Sequence, residues 1–184
     1  VQCGHECPEL PLLIDRAALT ALVRRLTESG VHRIAVEADH LTMAQSTALT
    51  SEFGCELLPT SGLVEQRRTL KDDGEIEALR AACAASDAAL TDLVPTIRVG
   101  MTEIEIARRL EWLMGEHGAE APAFETIVAG GPNSAIPHHS PTARALESGD
   151  FLKIDFGARV QGYHADMTRT FVVGAPPAAW QSEV

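Results

Sequence analysis

The stretch FLKIDFGARVQGYHADMTRTFVVG, residues 151–174, decides how this chain is read. Two alternating runs, Phe151 to Ala158 and Tyr163 to Val173, flank the turn-like Arg159-Val160-Gln161-Gly162, a pattern that predicts a β-hairpin. With the turn centred between Val160 and Gln161, Asp155 falls directly opposite Asp166, where Cβ atoms on a shared face lie roughly 4.5–5.5 Å apart. That face also carries Lys153, Gly157, His164, Thr168 and Thr170, and is almost wholly polar. The other face, with Leu152, Ile154, Phe156, Ala158, Ala165, Met167, Phe171 and Val173, is apolar and calls for a covering layer. Arg169 and Tyr163 are its exceptions.

Two like charges directly across a ladder are destabilising, so the aspartate pair needs a reason. A divalent cation can bridge them, because hard ions favour carboxylate oxygens and reverse the local charge penalty. The pair can also share one proton, or be neutralised by Lys153 and an arginine as an ion network. The loop-borne Asp-Thr/Ser-Gly pair expected of a shared-proton site is missing, and exposed ion pairs contribute little. Asp155 and Asp166 are therefore read as metal ligands. Upstream, His138 and His139 sit between Pro137 and Pro141, a rigid loop able to present an imidazole to a cleft. Adjacent side chains in extended backbone point apart, so one of the two faces the site. His164 lies toward the turn, where exposure is the simpler reading. His5, His32, His40 and His117 join no evident constellation.

Working outward, the spacing of Leu19, Leu22, Val23 and Leu26 predicts a helix from Asp15, as cap, to Gly30. A strand Val31 to Glu37, a helix Thr42 to Phe53 closed by Gly54, and a strand Cys55 to Leu58 follow, an order that indicates α/β layering. Residues 59–70, with Pro59, Gly62 and Glu65-Gln66-Arg67-Arg68, read as the connection between two units, with the boundary near Leu70. Asp73 then caps a long helix reaching Val94, with Ile76, Leu79, Cys83 and Leu90 buried. Thr102-x-x-Glu105 is a capping box opening a helix to His117, with a stripe of Ile104, Ala107, Leu110, Leu113 and Met114 and with Gly118 as terminator. A strand near Phe124 to Ala129 and the loop Gly130-Gly131-Pro132-Asn133 lead back to the hairpin. No internal repeat or low-complexity segment is evident.

Bulk properties narrow the class. A chain of 184 residues with 45% hydrophobic content can bury a real core. Its 15 basic and 26 acidic side chains give a net charge of -11, which disfavours nucleic acid and anionic membrane surfaces. No run approaches the roughly 18 apolar residues of a membrane span and no leader pattern opens the chain, so a soluble, cytoplasmic protein is expected. Cys3, Cys7, Cys55 and Cys83 form no framework and read as reduced thiols. The string Cys3-Gly4-His5-Glu6-Cys7 offers three soft ligands where a structural zinc site takes four.

The segments SAIPHHSPT and GDFLKIDFGARVQGYHADMTRTFVVG together resemble the signature of the pita-bread metallopeptidases, in particular the Xaa-Pro aminopeptidase and prolidase branch. The likeness covers roughly residues 71 to 174, and residues 15 to 70 resemble in layout the later part of a creatinase-type N-terminal domain. The resemblance implies an α/β (α+β) protein with that N-terminal domain over 1–70 and the first half of the catalytic domain over 71–184. It implies a dinuclear centre of two divalent ions, manganese or cobalt with zinc as a further option, in which Asp155 binds one ion and Asp166 bridges both. It assigns His138 to substrate contact and Thr168, in the run DMTRT, to supporting the second aspartate. It further implies a proline-containing peptide substrate and, for the complete protein, a homodimer. The family's remaining ligands, a histidine and two glutamates, lie well downstream, whereas 18 residues follow Asp166. The chain is thus expected to be cut at both ends and silent alone. A methionine aminopeptidase, which shares the aspartate spacing, and a non-catalytic binding module of the same fold are the alternatives.

Overall fold

The computed structural model describes residues 16–54 and 56–174. The chain divides into two compact units, Val1–Leu70 and Lys71–Val184.

In the first unit, helix α1 (Ala18–Glu28) is followed by strand β1 (Arg33–Glu37), helix α2 (Met43–Phe53) and strand β2 (Glu56–Thr60). The anticipated cap Asp15 lies outside the described residues, and α1 starts after Ala17, which makes no side-chain capping bond. Helix α2 is bounded by its own chemistry. The Thr42 hydroxyl accepts from the Gln45 amide, the Gln45 side chain accepts from the Thr42 amide, and Gly54 closes the helix at φ 61°. Because α2 crosses between them, β1 and β2 pair in parallel, with Ile34 beside Leu57. Val23 and Leu49 form the small core, with Ile34, Leu41, Phe53 and Leu57 against it. The stretch expected to be plain connection contains a short helix, α3 (Leu63–Thr69). Its Glu65 in the first turn and Arg67 and Arg68 in the last complement the helix dipole, while no residue of it is buried.

The second unit opens with α4 (Asp73–Leu93), a 3-10 turn (Val94–Thr96) and α5 (Glu103–Glu116). The cap of α4 is Asp72, not Asp73: the Asp72 carboxylate accepts from the Glu75 amide at 2.9 Å and Glu75 accepts from the Asp72 amide at 2.7 Å. The buried face also differs from the expected stripe. It consists of Ala78, Ala82, Ala85, Ser86, Ala89, Leu90 and Leu93, while Ile76 and Leu79 are half-buried and Cys83 is exposed. Small side chains let the helix lie close against its neighbours, so the alanines, not the larger residues, mark the interface. The capping box of Thr102 and Glu105 forms as read, but Ile106 replaces Ile104 in the buried stripe of α5 and Glu103 joins it.

Two three-stranded sheets complete the unit, in the orders β3-β6-β7 and β4-β5-β8. The strands are β3 (Ala121–Pro122), β4 (Ile127–Gly130), β5 (Phe151–Phe156), β6 (Ala158–Val160), β7 (Tyr163–His164) and β8 (Met167–Val172). Leu152, Ile154 and Phe156 of β5 are fully buried in one core with Leu93, Ile106, Leu110 and Met114 from the helices. Among the described residues, no helix is long and apolar enough to cross a membrane.

The hairpin register corrects the sequence reading. The turn is the two-residue step Gln161-Gly162, with φ 49° and 77°, so Val160 pairs with Tyr163 and Asp155 pairs with Thr168 rather than Asp166. The shift preserves parity, which is why the two faces fall as expected while the partners do not. Extending the ladder puts Asp166 across from Gly157, where the Ala165 carbonyl presses against the glycine so closely that an added Cβ would lie 1.8 Å from its oxygen.

Candidate metal centre and its supporting loop

Asp155 and Asp166 are diagonal neighbours on the polar face, a relation that spaces backbones by roughly 7–8 Å. Both line a cavity of about 380 Å³, together with His138 and His139 and an apolar wall that includes Phe124 and Ile127. Asp155 is half-buried, whereas Asp166 and His138 are exposed. Thr168 donates its hydroxyl to Asp155 Oδ1 at 2.9 Å, so it supports the first aspartate and not, as expected, the second. The register explains this: Thr168 is the residue directly across from Asp155. His164 is exposed, as anticipated.

The ion-network explanation for the pair fails on geometry. Lys153 Nζ donates to the Ile136 carbonyl at 2.7 Å, and Arg169 donates to the Thr168 carbonyl at 2.8 Å. Among the described residues no lysine or arginine forms an ion pair with either aspartate. Two carboxylates sharing a cavity without a cationic partner are a donor set suited to a hard divalent ion. They are also only part of one. Among the described residues, the group of three metal-capable side chains with ligand atoms within 4.8 Å of one another is Glu37, His40 and Glu65, all exposed and in the first unit. His40 therefore has acidic neighbours that the sequence did not reveal, and His117 contacts Asp92 at 2.8 Å. Cys3, His5 and Cys7 lie outside the described residues.

The residue that sequence reasoning missed is Glu103. It occupies the first turn of α5, is fully buried, and accepts five hydrogen bonds. Oε1 takes the Gly130 amide at 2.8 Å and Asn133 Nδ2 at 3.0 Å. Oε2 takes His139 Nε2 at 2.9 Å, the Thr142 amide at 2.9 Å and the Thr142 hydroxyl at 2.6 Å. Burial pushes the carboxyl up, but the Gly130 amide, Thr142, His139 and Asn133 together outweigh it and bring the pKa from 4.5 down to about 2. Arg144 and Asp150 form a second clasp on the same loop, paired at 2.7 Å and packed against Gly131. Burial works against the Asp150 charge too, yet Arg144 and the Glu147 amide hold that carboxyl below its ordinary range. Of the two adjacent histidines, His139 is thus tied inward to Glu103, which leaves His138 to the open side of the cavity. The signal in the sequence was a carboxylate beside the capping threonine, hidden because an acid in a first helical turn already has a reason to be there.

The hairpin sheet thus carries two aspartates on the face of one cavity beside a clamped histidine loop, with helices packed on its other face. Residues 77–184 match metallopeptidase family M24, and residues 5–70 match the creatinase/prolidase N-terminal domain. The chain belongs to metallopeptidase family M24, a family dependent on divalent metal. It is 40% identical over 121 residues to the Xaa-Pro dipeptidase of Pyrococcus horikoshii, covering 66% of this chain and 34% of that protein. It is 36% identical over 150 residues to the uncharacterized peptidase YqhT of Bacillus subtilis, covering 80% of this chain and 42% of the relative. Among solved structures, the Xaa-Pro dipeptidase of Bacillus anthracis superposes with a TM-score of 0.91 at 35% identity, over 99% of this chain and 51% of that one. The X-Pro aminopeptidase of Thermotoga maritima gives 0.83 at 36% identity, over 94% and 49%. The chain thus spans about half the length of the solved relatives, and its mixed α/β architecture is that of the first part of a prolidase-type pita-bread protein.

Proposed function

We propose that this chain supplies the first half of the active site of an Xaa-Pro peptidase, an aminopeptidase or dipeptidase acting on bonds next to proline. The observation that carries the reading is the convergence of Asp155, Asp166 and His138 on one cavity, with both carboxylates lacking a cationic partner among the described residues. Its volume of about 380 Å³ falls within the range of small-molecule sites, about 300–1,000 Å³. Two divalent ions, manganese or cobalt by preference with zinc as a further option, would supply an activated hydroxide and polarise the scissile carbonyl.

The roles proposed for this chain's residues rest on its likeness to the family, and their shared cavity supports them. Asp155 would offer an oxygen to one ion, with its rotamer held by the Thr168 hydroxyl on Oδ1. Asp166, at the more open position, would help to hold the ions. His138 reaches the substrate and steadies the charge that develops on the carbonyl oxygen. By likeness to the family, a histidine and two glutamates would complete the centre. The complete protein is proposed to be a cytoplasmic homodimer. The test is an assay of a protein of the relatives' full length that contains this chain, loaded with manganese and offered Xaa-Pro dipeptides, longer Xaa-Pro peptides and methionyl peptides. Metal-dependent cleavage beside proline, lost in Asp166→Ala, is the expected result. Cleavage of methionyl peptides alone would indicate a methionine aminopeptidase, and metal-loaded protein inert to all three would indicate a binding module.

A further inference from the structure

We propose that Glu103 is the positioning residue of this site, a buried anion that sets the path of the loop 130–142 and thereby the place of His138 at the cavity. The inference rests on the metallopeptidase reading for its significance, though its geometry stands apart from the metal. Glu103 itself does not line the cavity; it acts from below. Its two oxygens draw in donors from both ends of the loop and from the middle: Gly130 at the end of β4, Asn133 in the 3-10 turn Gly131–Ala135, His139, and Thr142. His138 is thus the residue next to one anchored histidine and four before an anchored threonine, and its freedom is that of a short tether fixed at one side by His139.

The geometry requires an anion at this position. All of the groups that face the carboxylate donate, and a carboxylate accepts only, with about four lone-pair sites to share among them. A glutamine in its place matches the shape but brings two N–H donors of its own, so one oxygen must be replaced by a group that confronts the His139 and Thr142 donors, or the Gly130 and Asn133 donors. The contact also selects the protonation pattern of His139: Nε2 must carry a hydrogen to bond Oε2 at 2.9 Å, which in the neutral ring leaves Nδ1 as the unprotonated nitrogen. The backbone joins the loop to the helix at the same place, since the Glu103 and Ile104 amides donate to the Arg144 and Thr142 carbonyls. One side chain therefore couples the start of α5, the exit of β4 and the histidine pair.

The experiment uses this chain itself, with ¹⁵N labelling, and compares the parent with Glu103→Gln and Thr142→Val by NMR. The parent is expected to show His139 as the Nε2–H tautomer and a Gly130 amide protected from exchange. In Glu103→Gln the tautomer preference is lost and Gly130 protection falls about ten- to a hundredfold, the scale of one lost hydrogen bond to a charged group. The amides of Ile154 and Thr168 in the sheet keep their positions. Thr142→Val removes a single hydroxyl donor and gives the same pattern more weakly, which decides the matter should Glu103→Gln not fold. An unchanged His139 tautomer and unchanged Gly130 protection in the folded variants overturn the proposal. So does a chemical-shift change in Thr142→Val spread evenly over the second unit, because the contact would then set no one loop's path. No metal or peptide enters the measurement, so failure of the peptidase reading leaves its outcome untouched.

Discussion

Gly157 is the point at which the hairpin that carries both aspartates has no room for a side chain, and Gly157→Ala should be severely destabilising. A Cβ there would stand 1.8 Å from the Ala165 oxygen, 2.6 Å from the Ala165 carbonyl carbon and 3.3 Å from Ala123 Cβ. Ordinary contact begins near about 3.5 Å, so the chains must separate by more than about 1 Å, and the nearest obstacle is backbone that cannot rotate away. Overpacking alone costs about 1–3 kcal/mol. Separation also strains the bonds from the Ala165 amide to Ala158 at 2.9 Å and from the Ala123 amide to Gly157 at 2.8 Å, each worth about 0.5–1.5 kcal/mol. The expected total is about 2–6 kcal/mol, read as a urea midpoint lowered by about 1–3 M when helix content is followed by circular dichroism. Gly115→Ala is the control: it lies in α5 with nothing within 4 Å of its built Cβ and should stabilise by about 0.5–1 kcal/mol. A loss below about 1 kcal/mol in Gly157→Ala would refute the close approach and, with it, the register that sets Asp166 diagonal to Asp155.

Three further outcomes are expected. Glu103 has its folded pKa at about 2, below the 4.5 of the unfolded chain, so its contribution is present above pH 4.5 and is lost as pH falls from there toward 2. That shift corresponds to about 3 kcal/mol, and urea midpoints between pH 5 and pH 2 should fall more steeply in the parent than in Glu103→Gln; parallel profiles would contradict it. Ser86 is buried in α4, donates to the Ala82 carbonyl and accepts the Ala158 amide at 2.9 Å, so Ser86→Ala should cost about 1–3 kcal/mol in urea unfolding by stranding that amide. Thr168→Val removes the donor to Asp155 and should weaken manganese binding in the full-length metalloprotein about 10- to 100-fold by calorimetry, while unchanged affinity would deny the hydroxyl any part in orienting the ligand.

The faces of the hairpin were legible because alternation survives any even shift of register, so Asp155, Asp166 and Thr168 could be placed on one polar side without knowing who pairs with whom. The partners were not legible. Gln161-Gly162 is a two-residue turn with both φ values positive, and glutamine is an unusual residue for such a position, so the sequence pattern pointed to a centre one residue earlier. Helix α4 was misjudged for a related reason: its packing face is a row of alanines, which carry little hydrophobic contrast, and the larger Ile76 and Leu79 drew the stripe away from it. Gly54 and the Thr102–Glu105 box were readable because capping is local chemistry. Glu103 was not, because its partners come from residues 27 to 39 positions away, and no local pattern records them.

The most direct test of the account is a manganese titration of this chain by calorimetry, run beside the Asp155→Asn/Asp166→Asn double variant. Two carboxylates without the remaining ligands should bind weakly, with Kd on the order of millimolar, and the double variant should lose that binding. Binding that persists unchanged in the double variant would place the ion elsewhere, with Glu37, His40 and Glu65 the first position to examine, and would contradict the assignment of Asp155 and Asp166 as the metal ligands.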